Sequence, residues 1–175
     1  MKKEIIEWAR ALIGALVLTA IIIFFIRPTV VYGPSMEPSY YDREYLLISK
    51  AYVYAKGLDR GDVIIFKTHL KLDNGSEKNL IKRVVGVAGD TVEITDGKVI
   101  INGTAIEESY TDGSLTESFG ENKWMVGEDE VFVLGDNRDN SKDSRFEDVG
   151  LVNKKTIMGK VMLRVLPISR AGAVD

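Results

Sequence analysis

The sequence contains no cysteine and only one histidine, His69. Without cysteine the chain cannot form a disulfide, a zinc–thiolate site or a thiol nucleophile. With a single histidine it cannot build a multi-histidine metal site. A Ser-His-Asp triad would have to rely on His69 alone.

Excess charge of one sign is also missing, since the formal net charge is −3 over 175 residues. Residues 1–27 carry four cations and two anions, so the other residues sum to −5. A nucleic-acid-binding protein would present a cationic surface, and this chain has no surplus of cations to supply one. The length allows an N-terminal segment and one domain of about 145 residues.

One long hydrophobic run is present near the N-terminus. Residues 11–26, ALIGALVLTAIIIFFI, are sixteen uncharged residues, and counting back to Trp8 gives nineteen, with Arg10 able to reach the headgroups. As a helix, nineteen residues span about 28 Å, close to the roughly 30 Å hydrocarbon core of a bilayer. A cleavable signal peptide is the alternative, but the run ends in Arg27-Pro28 and branched residues, without a small-x-small cleavage site.

This run divides the chain into two parts. We predict that residues 1–27 are a cytoplasmic N-terminus and transmembrane anchor, and that residues 28–175 are an extracytoplasmic domain at the cell membrane. Three cations precede the run and two follow it closely, which favours this orientation only slightly.

After the anchor, the sequence has the period and composition of strands. Short runs rich in Val and Ile are bounded by Gly, Asp, Asn or Pro, and they read EYLLISK, DVIIFKT, NLIKRVVGV, DTVEI, KVIING, DEVFVLG and IMGKVMLRVLP. Asp96-Gly97 predicts a two-residue hairpin turn, and Asn74-Gly75 predicts a turn inside a polar insert, residues 71–79. The fold class is therefore mainly β: a single transmembrane helix, then an all-β domain with this insert and an irregular excursion over residues 103–127.

Two residues are candidates for chemistry. Ser35 lies between Pro34 and Pro38 just after the hydrophobic run, and a serine in this setting is usually a turn residue unless a base accompanies it. Strand alternation puts Lys82 and Arg83 on opposite sides of NLIKRVVGV, so one cation must face apolar residues. A buried lysine loses its proton easily and can act as a general base, which arginine cannot do. The alternative is a lysine that snorkels at a sheet edge.

A third candidate is the polar segment LGDNRDNSKDSRFEDVG, residues 134–150. Asp136 and Glu147 fit the first and twelfth positions of a calcium loop. However, Arg138 stands where an oxygen ligand is needed, and Ser141 stands where the loop needs glycine. We favour a hydrogen-bonded support loop, and we expect no metal and no cofactor.

Three stretches together resemble one family, the type I signal peptidases, which are membrane-anchored Ser/Lys proteases of bacteria. GPSMEPS resembles the serine box, KRVVGVAGD the lysine box and GDNRDNSKDSR the polar box of that family. They occur in the family's order, after an N-terminal anchor, and cover about 27 residues. A lone SMEP would be a weak signal, whereas the polar box is highly specific.

The resemblance implies a role for each matching residue. Ser35 would be the nucleophile and Lys82 the general base, while the Ser141 hydroxyl would help to orient the lysine. Met36 would help to shape the substrate cleft. Gly33 replaces a serine that donates to the oxyanion in some relatives, so a backbone N–H, together with that of Ser35, would have to serve here. Three further residues would hold the site together: Asp136, Asp143 and Arg145.

The implied activity is removal of N-terminal signal peptides from exported preproteins at the outer membrane surface. The expected partners are preproteins with small-x-small cleavage sites and membrane lipid, without nucleic acid. Two alternatives stay open. One is a non-catalytic membrane-anchored β-domain that binds peptides or a partner, and the other is a related Ser/Lys protease that cleaves itself.

Overall fold

The computed structural model describes residues 2–72 and 74–173. Within them the chain forms two α-helices, α1 (Lys2–Phe25) and α2 (Lys50–Lys56). The strands in chain order are β1 (Arg27–Val30), β2 (Tyr45–Ser49), β3 (Val63–Lys71), β4 (Glu77–Gly86), β5 (Thr91–Thr95), β6 (Lys98–Ile101), β7 (Thr104–Ala105), β8 (Lys123–Met125), β9 (Glu130–Leu134), β10 (Val152–Asn153) and β11 (Ile157–Leu166). Short 3-10 turns cover Arg138–Asn140, Lys154–Thr156 and Ile168–Arg170.

The strands form two antiparallel sheets. The larger has seven strands in the order β1-β2-β11-β3-β4-β9-β10, and the smaller has four in the order β7-β6-β5-β8. Buried residues of β4 and β9, including Val85 and Phe132, share a hydrophobic cluster with Val92 and Trp124 of the smaller sheet. This shared cluster joins the two sheets, and the mainly β prediction is confirmed.

The seven predicted strands are all present, and the predicted hairpin lies between β5 and β6. Asp96 and Gly97 both have positive φ, 52° and 73°, and Thr95 pairs with Lys98 across the turn. The polar insert is a hairpin as well, because Lys71 pairs with Glu77 and extends β3 and β4 through it. The excursion contributes the short strands β7 and β8, which the sequence did not predict.

The predicted anchor segment is helical as part of α1. Its described apolar side chains are exposed, among them Trp8 at 77% and Leu12 at 62%. No helix within the described residues is both long and apolar enough to cross a membrane, so the prediction of a transmembrane helix is not confirmed.

Candidate active site

Ser35 lies in a tight turn that follows β1. Gly33 enters the turn with a φ of 85°, a left-handed conformation that favours glycine. The N–H of Tyr40 donates to the carbonyl of Met36 at 2.8 Å, and both of these side chains are completely buried. Because its neighbours are fixed in the core, the turn holds Ser35 in one place.

The base of this turn is held by a buried ion cluster that the sequence did not reveal. Glu44 accepts hydrogen bonds from Arg164 and Arg170, each at 2.8 Å. Both arginines also donate to the carbonyl of Ser39, at 2.8 and 3.2 Å. The partners are more than 100 residues apart along the chain, so no local pattern could have paired them.

Lys82 lies on β4, an inner strand between β3 and β9, and its residue surface is only 1% exposed. Its Nζ donates to Ser35 Oγ at 2.6 Å and to the Ile81 carbonyl at 2.7 Å. Burial lowers the pKa of Lys82 from 10.5 to about 8, although the nearby Asp143 carboxylate opposes this shift. The snorkelling alternative is therefore wrong, and above about pH 8 most of the amine beside the serine hydroxyl is neutral.

The neighbouring cation, Arg83, is equally buried but has a carboxylate partner. Its Nε and Nη2 donate to the two oxygens of Asp136 at 2.9 and 2.8 Å, and its guanidinium lies 4.2 Å from the Tyr110 ring centre. Both neighbouring cations of β4, Lys82 and Arg83, are thus buried. Asp136, the first position of the calcium-loop alternative, is paired with a guanidinium.

The rest of the polar segment folds around a second buried ion pair. Asp143 accepts hydrogen bonds from the Gly135 N–H at 3.0 Å and from Arg145 Nε at 2.8 Å. Arg145 Nη2 also donates to the Arg138 carbonyl at 2.8 Å. The segment is therefore a hydrogen-bonded loop that buries four paired charged side chains, Asp136, Arg138, Asp143 and Arg145.

Ser141 is buried near Ser35 and Lys82, the two residues called the dyad below, but its hydroxyl has no hydrogen-bond partner among the described residues. The Lys82 amine bonds to Ser35 and Ile81 instead, so the orienting role of Ser141 stays a prediction. Gly135 is the residue that brings these groups together. A Cβ atom there would lie 2.5 Å from the Ser35 carbonyl oxygen and would also collide with Ser141. Sequence reasoning missed this glycine, although its position directly after a buried strand was a signal.

The backbone N–H of Gly33, expected to be free to donate to the oxyanion, already has an acceptor. Its N–H donates to Asp42 Oδ1 at 2.8 Å, so this N–H is already engaged and is not a free oxyanion donor. The N–H of Ser35 has no hydrogen-bond partner within residues 2–72 and 74–173. The Gly33 N–H is thus engaged and the Ser35 N–H is available, and the oxyanion role expected of these two donors stays a prediction.

A cleft of about 980 Å³ opens onto the dyad. One wall comes from residues 29–30 and 32–35, and the other comes from residues 77–82. Residues 139–142 complete the lining together with Ile65 and Leu72. Met36 is not in this lining and is fully buried, so its predicted part in shaping the cleft stays a prediction. The side chain of His69 is fully exposed, does not line the cleft and forms no hydrogen bond with Ser35 among the described residues.

Comparisons with known proteins agree on one family. The family described as "Signal peptidase, peptidase S26" matches residues 5–166. The chain is similar to signal peptidase I P of Bacillus subtilis subsp. natto, with 36% identity over 97% of this chain and 93% of that protein. It is 39% identical to signal peptidase I S of Bacillus subtilis (strain 168), over 90% of this chain and 87% of the relative. Signal peptidase IB of Staphylococcus aureus (strain COL) is 32% identical, over 97% of this chain and 93% of that protein.

Proposed function

Because the chain belongs to the signal peptidase family, peptidase S26, we propose that its peptidase site is the Ser35–Lys82 dyad. The protein is a serine endopeptidase that removes signal peptides from preproteins. Ser35 is the nucleophile and Lys82 is the general base. The observation that carries this proposal is the 2.6 Å contact between Ser35 Oγ and the buried Lys82 Nζ.

The first half of the reaction forms an acyl-enzyme. The neutral Lys82 amine takes the proton of Ser35 Oγ as that oxygen attacks the carbonyl carbon of the scissile amide. The resulting oxyanion accepts a hydrogen bond from the Ser35 N–H. The C–N bond then breaks, and the Lys82 ammonium gives its proton to the leaving amine, which becomes the N-terminus of the mature protein.

The second half regenerates the enzyme. Lys82, neutral again, takes a proton from a water molecule, and the hydroxide attacks the ester carbonyl. The bond between the acyl carbon and Ser35 Oγ breaks, and the lysine returns the proton to the serine oxygen. The Ile81 carbonyl keeps the amine aimed at Ser35 through both halves, since it accepts a hydrogen bond from Nζ at 2.7 Å.

The non-catalytic alternative is set aside, because family membership makes this chain a peptidase. The self-cleaving alternative is set aside for the same reason, since the relatives named above are signal peptidases. The function assigned to the site is therefore cleavage of preproteins in trans.

The same proposal includes a place of action. We assign residues 28–175 to the extracytoplasmic surface of the cell membrane and residues 1–27 to membrane attachment. Exposed apolar side chains of α1 support attachment, since Ile5, Trp8 and Leu16 are each more than 60% exposed and lipid would remove them from water. A membrane fraction that releases the chain on a high-salt wash would contradict attachment through this helix.

Purified full-length protein in detergent and one secretory preprotein test the function directly. We expect one cut just after a small-x-small sequence, identified by N-terminal sequencing of the product. Leu or Phe immediately before the scissile bond should slow cleavage, because a large side chain must displace packed neighbours at a cost of about 1–3 kcal/mol. Equal rates for Ala and Phe at that position would contradict this description of the cleft.

A further inference from the structure

Lys78 is a second lysine of the catalytic cleft. It belongs to the same wall and the same strand, β4, as Lys82. The two are four residues apart, so strand alternation puts both side chains on one face of β4, separated by about 13 Å along the strand. Lys78 is exposed, whereas Lys82 is buried.

The charge of Lys78 is not matched by a carboxylate. Within residues 2–72 and 74–173, its side chain forms no ion pair. By contrast, Lys142, also in the cleft lining, is paired with Asp148, and Glu77 lies 3.8 Å from Lys71 Nζ. An exposed, unpaired cation in a substrate cleft is available to interact with a charge that the substrate brings.

The cleft has a direction relative to the dyad. Both walls reach the dyad at their C-terminal ends, one at Ser35 and the other at Lys82. The parts of the walls that precede these residues, which include Thr29 and Lys78, therefore line the portion of the cleft away from the dyad. Thr29 is also four residues after the end of α1 at Phe25, so this portion is the one that follows α1 along the chain.

The position of α1 relative to the cleft also sets the direction of the bound substrate, and this step rests on the proposed function. A signal peptide carries its apolar segment before the cleavage site. If α1 attaches the enzyme to the membrane, the apolar segment of the substrate lies toward the α1 side of the cleft. The residues just before the scissile bond then run along the wall that contains Lys78.

Counting along an extended substrate gives the position that meets Lys78. An extended chain advances about 3.3 Å per residue, so four residues cover the distance between the two lysines. With the first residue before the scissile bond at Lys82, the fifth lies level with Lys78. Alternation also points the first, third and fifth side chains to the same side. We propose that Lys78 is a specificity-determining residue that favours an acidic side chain at the fifth position before the scissile bond and disfavours a basic one.

Three peptides that differ only at the fifth position, with Glu, Gln or Lys, test this proposal. With the full-length wild-type enzyme at low salt, we expect kcat/KM for the Glu peptide to exceed that for the Lys peptide about two- to fivefold, as for an exposed ion pair. Lys78→Glu should invert the order and Lys78→Gln should flatten it. Lys98→Glu, which changes an exposed lysine of β6 outside the cleft, should keep the wild-type order. The preference should shrink as salt is added.

Ratios between peptides are compared within each variant, because a changed charge at Lys78 also acts on the Lys82 amine and alters all rates together. An unchanged Glu-to-Lys ratio in Lys78→Glu would overturn the proposal. A charge preference found at the third or seventh position, and not at the fifth, would overturn it too. Failure of the wild-type enzyme to cut any of the three peptides would refute the proposed function itself.

Discussion

Replacing Lys82 with methionine separates a buried catalytic lysine from a charged structural one. The substitution keeps the length of the side chain, removes the amine and leaves the site apolar. The variant should be inactive, because no other neutral base contacts Ser35 Oγ among the described residues. Its stability should nevertheless equal or exceed that of the wild type at pH 7.

The magnitude follows from the lowered pKa. A fall from 10.5 in the unfolded chain to about 8 in the folded chain corresponds to about 3 kcal/mol of destabilisation at neutral pH. Between these two pKa values the unfolded chain binds more protons than the folded chain, so the free energy of unfolding rises with pH across this window. The destabilisation caused by burying the ammonium has its full value below pH 8 and has nearly vanished by pH 10.5. Two hydrogen bonds of about 1 kcal/mol each partly offset it.

Urea denaturation of the wild type and Lys82→Met at pH 7 and pH 10.5 measures this directly. The stability difference should move by about 3 kcal/mol in favour of the wild type as the pH rises. Lys98→Met is a matched control at an exposed lysine, and it should track the wild type at both pH values. A Lys82→Met protein that is several kcal/mol less stable at pH 7 would refute the reasoning.

Activity tests the same lysine independently. The rate should rise through pH 8 as the amine loses its proton. Lys82→Arg should be inactive, because guanidinium cannot give up its proton. Retained activity in Lys82→Arg would show that the base lies elsewhere.

Three further substitutions test other parts of the site. Ser35→Ala should abolish preprotein cleavage without lowering the melting temperature, and turnover by protein free of host enzyme would remove Ser35 from its role. His69→Ala should leave activity nearly intact, because the side chain is exposed and outside the cleft, and a loss of 100-fold or more would revive the histidine triad. Asp143→Ala should destabilise the fold by about 3–5 kcal/mol in urea, because it leaves Arg145 buried and unpaired. Glu147→Ala, at an exposed position in the same segment, is its control, and equal stability of these two variants would show that the ion pair contributes nothing.

The sequence predicted those features that depend on local periodicity. Alternation located seven strands, and the positive φ that Asp96-Gly97 tolerates located a hairpin. Alternation also separated Lys82 from Arg83, which raised the question of which cation is buried. Ser35 and the polar segment were candidates from the residues alone, and the resemblance to a family then gave them roles, although no spacing could supply their geometry.

The features that were missed depend on contacts between distant parts of the chain. Glu44 meets Arg164 only because β11 lies beside β2 in the sheet, and the order of strands cannot be read from single strands. Helix α2 escaped prediction because it has seven residues and no buried side chain, so it carries no amphipathic pattern. Gly135 was overlooked because its importance lies in the absence of a Cβ atom near the Ser35 carbonyl.

The order of the two cations on β4 explains why this site can work without histidine. Both are buried, and burial alone would lower the pKa of each. Arg83 has the Asp136 carboxylate within 2.9 Å, so its pKa is raised despite burial and it stays charged. Among the described residues the Lys82 amine donates hydrogen bonds only to a hydroxyl and a carbonyl, both neutral, so burial outweighs the Asp143 charge and lowers the pKa of the amine to about 8. Exchanging the two residues would put the permanently charged guanidinium beside Ser35 and the lysine beside a carboxylate, which would leave the serine without a base.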